Sequence, residues 1–198
     1  MKRALFLVAL GLSPVAGVRA QEAHVVTAFL GEQFYDSSAA AEASGVLGVR
    51  WAWYARTGHG FEFSLDYART RLEAGALPAF LGLNFDDPQT LPEELERVAV
   101  DYSHVSRGGL VRPYVNAGLG YLRATISMSA RAESVLTSLG RTFDTGDNAL
   151  TYGAGAGVLV GEDRLRFRYD VRVIRFGKLF NNGNGTTLQT TGGFAWIF

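Results

Sequence analysis

Beyond residue 20 the chain alternates apolar and polar positions with a period of two. Phe61–Tyr67 (FEFSLDY) and Arg164–Val173 (RLRFRYDVRV) do so strictly. Successive residues of an extended strand point to opposite sides, so each such run presents one apolar and one polar face. Eight runs are predicted, at about 23–34, 45–56, 60–70, 95–105, 111–124, 148–160, 164–176 and 187–198. Several exceed the roughly five or six residues usual in globular sheets. They match the roughly 9–11 residues with which a tilted strand crosses hydrocarbon.

The connections alternate in length. Thr57–His59, Ser106–Leu110 and Gly161–Asp163 are short, whereas the connections after runs one, three, five and seven hold about 10, 24, 23 and 10 residues. An up-and-down barrel then gathers the short turns at one rim and the long loops at the other. The fold class expected is all-β, an eight-stranded antiparallel up-and-down transmembrane β-barrel.

Alternation does not say which face points inward, and a soluble ligand-binding barrel has the same period. The glycines break the symmetry. Gly118, Gly120, Gly153, Gly155 and Gly157 share the face that elsewhere carries Arg50, Glu62, Asp66, Arg97, Asp101, Arg166, Arg168, Asp170 and Arg172. Glycine in water-facing strand positions weakens a sheet without return. Inside a narrow barrel it leaves room for long side chains from across the bore, where Arg and acid neutralise each other. Polar-in is therefore expected, with Phe61, Phe63, Leu65, Tyr67, Val98, Val100, Tyr102, Leu165, Phe167, Tyr169, Val171 and Val173 facing lipid. Trp51, Trp53, Phe61, Tyr102, Trp196 and Phe198 would form an aromatic girdle toward the short turns. Phe34, Tyr35, Tyr67, Tyr121 and Phe176 would form the other.

Composition narrows the function. Lys plus Arg and Asp plus Glu both number 19, so no basic excess grips nucleic acid. With no Cys there is no disulfide or thiolate chemistry, and three His are too few and too scattered for a convincing zinc centre. Lys2 and Arg3, the apolar run Ala4–Leu12 and Val18-Arg19-Ala20 read as a cleavable export signal, residues 1–20, with the barrel domain at 21–198.

The last residues, Thr191-Gly-Gly-Phe-Ala-Trp-Ile-Phe198, are similar to the β-signal read by the bacterial outer-membrane assembly machinery. With Arg112–Tyr121 (RPYVNAGLGY) and Tyr152–Gly157 (YGAGAG), they make the mature chain resemble the OmpA/OmpX-like eight-stranded outer-membrane β-barrel proteins. That resemblance implies a bacterial outer-membrane location. It also implies contact with outer-membrane lipid and lipopolysaccharide, and with the assembly machinery through the final strand.

Some small barrels modify lipid A. The deacylases resemble this chain in the last two strands and use His-x-Ser with a downstream Glu there, where this chain has Arg175-Phe176-Gly177 and then Asn181–Gly185. His104-Val105-Ser106 has the spacing but lies at the short-turn rim, while His24 and His59 read as plain surface residues. No catalytic, cofactor or metal residue is assigned. The long loops are the other place for function. Loop two carries Leu77–Phe85, the acids Asp86, Asp87, Glu93 and Glu94, and a helix-like Pro92–Glu96; loop three carries a helix-like Ala132–Leu139. The acids are candidates for Ca²⁺ or Mg²⁺ bridging lipopolysaccharide, though acids at loop tips ordinarily just solvate a loop. The expectation is a monomeric, non-enzymatic barrel with a structural or surface-contact role, whose extracellular partner would sit at loops two and three. A lipid A-modifying enzyme is the alternative.

Overall fold

A computed structural model describes residues 23–37, 41–72, 91–127, 138, 145–162, 164–179 and 184–198. Eight strands follow in chain order: β1 (Ala23–Tyr35), β2 (Ser44–Tyr54), β3 (His59–Leu72), β4 (Leu91–Val105), β5 (Val111–Ile126), β6 (Gly146–Val160), β7 (Leu165–Phe176) and β8 (Gly185–Ile197). Each pairs antiparallel with its neighbours, and β1 pairs with β8 from Val25↔Ile197 to Tyr35↔Thr187, closing the barrel. Closure removes the unpaired edges that an open sheet would expose.

The short turns close with glycines at positive φ: Gly58 (84°), Gly108 (73°), Gly109 (83°) and Gly161 (137°). These left-handed conformations favour a residue without Cβ. The Gly58 carbonyl also accepts the Val105 N–H at 2.8 Å, tying the β2–β3 turn to the end of β4.

Several strands start earlier than expected, β4 by the most. Pro92–Glu96 is not helical but belongs to β4, paired with β3 through Arg71↔Pro92, Thr70↔Glu93 and Arg69↔Glu94. Alternation persists through it, with Glu93, Leu95 and Arg97 buried. The ladder prevails over the local Pro-Glu-Glu signal, and a proline near a strand start forfeits little pairing. β6 likewise begins at Gly146 rather than near 148. The helix expected in loop three lies, apart from Ser138, outside the described residues, as do Leu77–Phe85, Asp86 and Asp87.

The polar face points inward. Arg168 is 1% exposed while Phe63 and Phe167 on the other face are 46% and 45% exposed. All nine charged residues assigned to the bore are buried, and every residue assigned to the outer face lies on it. The apolar band is bounded toward the long loops by Glu32, Arg69, Arg71, Glu96, Arg123 and Arg175, all exposed, and by the half-buried Glu94. The short-turn girdle is present, with Trp51 stacked between His24 and Phe63. The opposite girdle is thinner than expected. Phe34, Tyr67 and Tyr121 face out, but Tyr35 and Phe176 share the parity of Gln33 and Ile174 and pack inward.

Candidate functional site

The bore is filled in three layers. At its centre, β2, β3, β4 and β7 bring together three arginines and three acids. Arg50 meets Asp170 at 2.5 Å; Arg168 meets Glu62 at 2.8 Å and Asp170 at 3.1 Å. Arg172 meets Asp101 at 2.5 Å and Glu62 at 3.3 Å. Tyr54 and Ser103 hydroxyls donate to the other Glu62 oxygen at 2.7 and 2.5 Å. A separate pair, Arg97 with Asp66 at 2.7 Å, lies toward the long loops. Positive and negative groups thus match one for one, as a low-dielectric interior requires. Arg166, the remaining charge expected in the bore, sits apart at the short-turn mouth with its guanidinium donating to the Glu162 carbonyl at 3.4 Å.

Apolar layers close the bore on either side. Toward the long loops, Phe29, Val46, Leu95, Leu122, Phe176 and Leu179 form one cluster; toward the short turns, Val25, Tyr54, Val105, Tyr114 and Leu159 form another. Apart from Leu179, which lies just beyond β7, these residues share the inward parity of the arginines. Most stand toward strand ends, where the strict polar-in rule breaks down, while Phe29 sits at the middle of β1. A cavity of about 30 Å³ beside Arg97 and Gln189 has room for about one water, and a wider one of about 350 Å³ opens at the short-turn rim.

The glycines do make room, but for neighbours on adjacent strands rather than for side chains across the bore. Gly155 is paired with Arg172, and a Cβ there would lie 2.6 Å from Arg172 Cγ. Gly157 is paired with Tyr114 and would press on its ring. Gly48 and Gly193 flank Phe29 from both sides. Phe29 and Tyr114 each carry an arginine against the ring, Arg50 at 4.1 Å and Arg168 at 4.4 Å. The pattern becomes legible once register is fixed: Gly48 and Gly193 fall opposite Phe29, Gly155 opposite Arg172 and Gly157 opposite Tyr114.

Three comparisons bear on the fold. No family model matches the chain, and no curated protein matches it. Among solved structures, the crystal structure of Neisserial surface protein A superposes with a TM-score of 0.62 at 15% identity, covering 89% of this chain and 97% of that one. The chain has the fold of the eight-stranded outer-membrane β-barrels. The N-terminal barrel of Pseudomonas aeruginosa OprF (TM-score 0.48, 15% identity, 90% and 98% covered) and the outer-membrane enzyme PagL (0.49, 17%, 85% and 97%) also match.

The residues weighed for chemistry are scattered in this barrel. Arg175 lies on the outer face next to the end of β7, and Phe176, its last residue, is buried inside. His104 faces outward at the end of β4, where its ring neighbour is His59; Ser106 is exposed in the turn. Glu93 is buried in the bore and Glu94 bonds Arg69 at 3.0 Å on the outer face, so these two acids point to opposite sides. Among the described residues no group of three or more His, Asp or Glu is gathered to hold a metal.

Proposed function

We propose that this chain is an integral outer-membrane barrel of the bacterial envelope. In this reading it is exported by a signal cleaved after Ala20 and acts through its wall and external loops rather than as a pore or an enzyme. The observation that carries the reading is the layered bore. A neutral cluster of interlocked ion pairs, sealed between two apolar layers and wrapped in an apolar band, suits a stable lipid-embedded plug. The long loops between β3 and β4 and between β5 and β6 are then the surfaces offered to an extracellular partner, and the final strand is the segment the assembly machinery reads.

Fractionation with heat-modifiable gel mobility tests the location: the folded form is expected in the outer-membrane fraction, migrating differently from its boiled form. A mature N-terminus at Gln21 is expected from Edman sequencing. In planar bilayers the wild type is expected to give no large, steady conductance, because the bore holds few gaps. Recovery of the protein from the soluble periplasmic fraction without detergent overturns the membrane reading. Mass spectrometry of lipid A from cells with and without the gene tests the non-enzymatic part, and an altered acyl pattern overturns it.

A further inference from the structure

All three histidines of the chain, His24, His59 and His104, lie at the short-turn rim, and two of them meet. His59 of β3 and His104 of β4 are direct partners in the antiparallel register, with ring centroids 4.3 Å apart on the exposed outer face. Directly opposed residues bring their Cβ atoms about 4.5–5.5 Å apart. Two imidazoles at that spacing can direct one nitrogen each toward a single ion.

Two further features prepare the pair. The Tyr102 hydroxyl and His59 Nδ1 share a hydrogen bond of 2.6 Å, and the two rings stack. A partner on one ring nitrogen fixes the ring and presents the other as ligand, the usual arrangement behind metal-bound histidine. The backbone beneath is fixed as well, because the Val105 N–H donates to the Gly58 carbonyl at 2.8 Å, between the residues adjoining each histidine.

We propose that His59 and His104 form a binding site for a divalent ion of the zinc or nickel class. Nε2 of His59 and one nitrogen of His104 are the protein ligands, Tyr102 is the positioning residue, and water fills the remaining positions. Imidazole is a preferred ligand for such ions. The ion would sit where no turn joins β3 to β4, their only chain connection being the long loop at the far rim. It therefore clips the β2–β3 hairpin to the β4–β5 hairpin.

The test is isothermal titration of the tag-free, full-length protein, folded in detergent micelles, with Zn²⁺ alone. Wild type is expected to take up one equivalent, and to need more urea to unfold when Zn²⁺ is present. His59→Asn and His104→Asn should each weaken binding by well over about tenfold, and Tyr102→Phe by about tenfold, in line with loss of a ligand or of its orienting partner. His24→Asn should leave binding unchanged, and heat-modifiable mobility confirms that each variant is folded. Absence of Zn²⁺ uptake by the wild type, or uptake undiminished in the folded His59→Asn/His104→Asn variant, overturns the proposal.

Discussion

The guanidinium carbon of Arg50 lies 4.1 Å from the centre of the Phe29 ring, and the same arginine bonds Asp170 at 2.5 Å. Phe29 is the joint between the central ionic layer and the apolar layer above it, seated between Gly48 and Gly193. Phe29→Ala removes a buried ring that the two glycines cannot replace and leaves Arg50 without its platform. A loss of about 3–5 kcal/mol in unfolding free energy is expected, read from urea titration in lipid vesicles.

Glu62 accepts from Arg168, Arg172, Tyr54 and Ser103. Glu62→Ala leaves three buried arginines facing two acids, with one positive charge uncompensated and an expected cost of about 3–5 kcal/mol in the same titration. Glu62→Gln keeps the shape and loses the charge, so its cost should be substantial as well. A Glu62→Gln barrel as stable as wild type would show that packing rather than pairing holds this layer.

Depth on the outer face should be measurable. Phe63→Arg places a cation in the middle of the apolar band, where about 2–4 kcal/mol is expected in a bilayer. Glu32→Lys, in the charged border ring, should cost about 0–1 kcal/mol. Equal effects from the two variants would argue against a lipid-facing band.

Gly157 stands opposite Tyr114, whose hydroxyl accepts from Arg168 Nε at 2.7 Å. A Cβ at 157 would lie 2.5 Å from Tyr114 Cζ. Gly157→Ala is therefore expected to lower the refolding yield, scored by heat-modifiable gel shift. The Gly157→Ala/Tyr114→Phe variant should not fully restore it, because the Tyr114 ring and the Tyr169 carbonyl crowd the same space as the hydroxyl.

Period-two alternation carried most of this architecture. It set Glu62, Asp101, Arg168 and Asp170 on one face and Phe63 and Phe167 on the other, because one parity error would turn a whole strand over; the glycines and the balanced charges of the polar face chose which face turns in. It was weaker at the strand ends. Phe176 and Tyr35 resembled interface aromatics, yet parity with Ile174 and Gln33 takes them inward, and composition alone does not mark where the girdle stops. Pro92–Glu96 misled because its helix-start chemistry is local, whereas the ladder to β3 that overrides it lies twenty or so residues away along the chain. The pairing of His59 with His104 was invisible for a related reason. It depends on the register between two strands separated by the longest kind of loop, and no local spacing encodes it.

The central ionic layer draws Arg50, Glu62 and Asp101 from β2, β3 and β4, but Arg168, Asp170 and Arg172 all from β7. Without β7 the layer would hold two acids and one arginine, so β7 carries the charge that neutralises it. The penultimate strand acts as a key cut to one alignment: slipped by a single residue, it turns its arginines outward and Tyr169 and Val171 inward. Charge as well as parity therefore selects a single alignment for β7 against the rest of the wall.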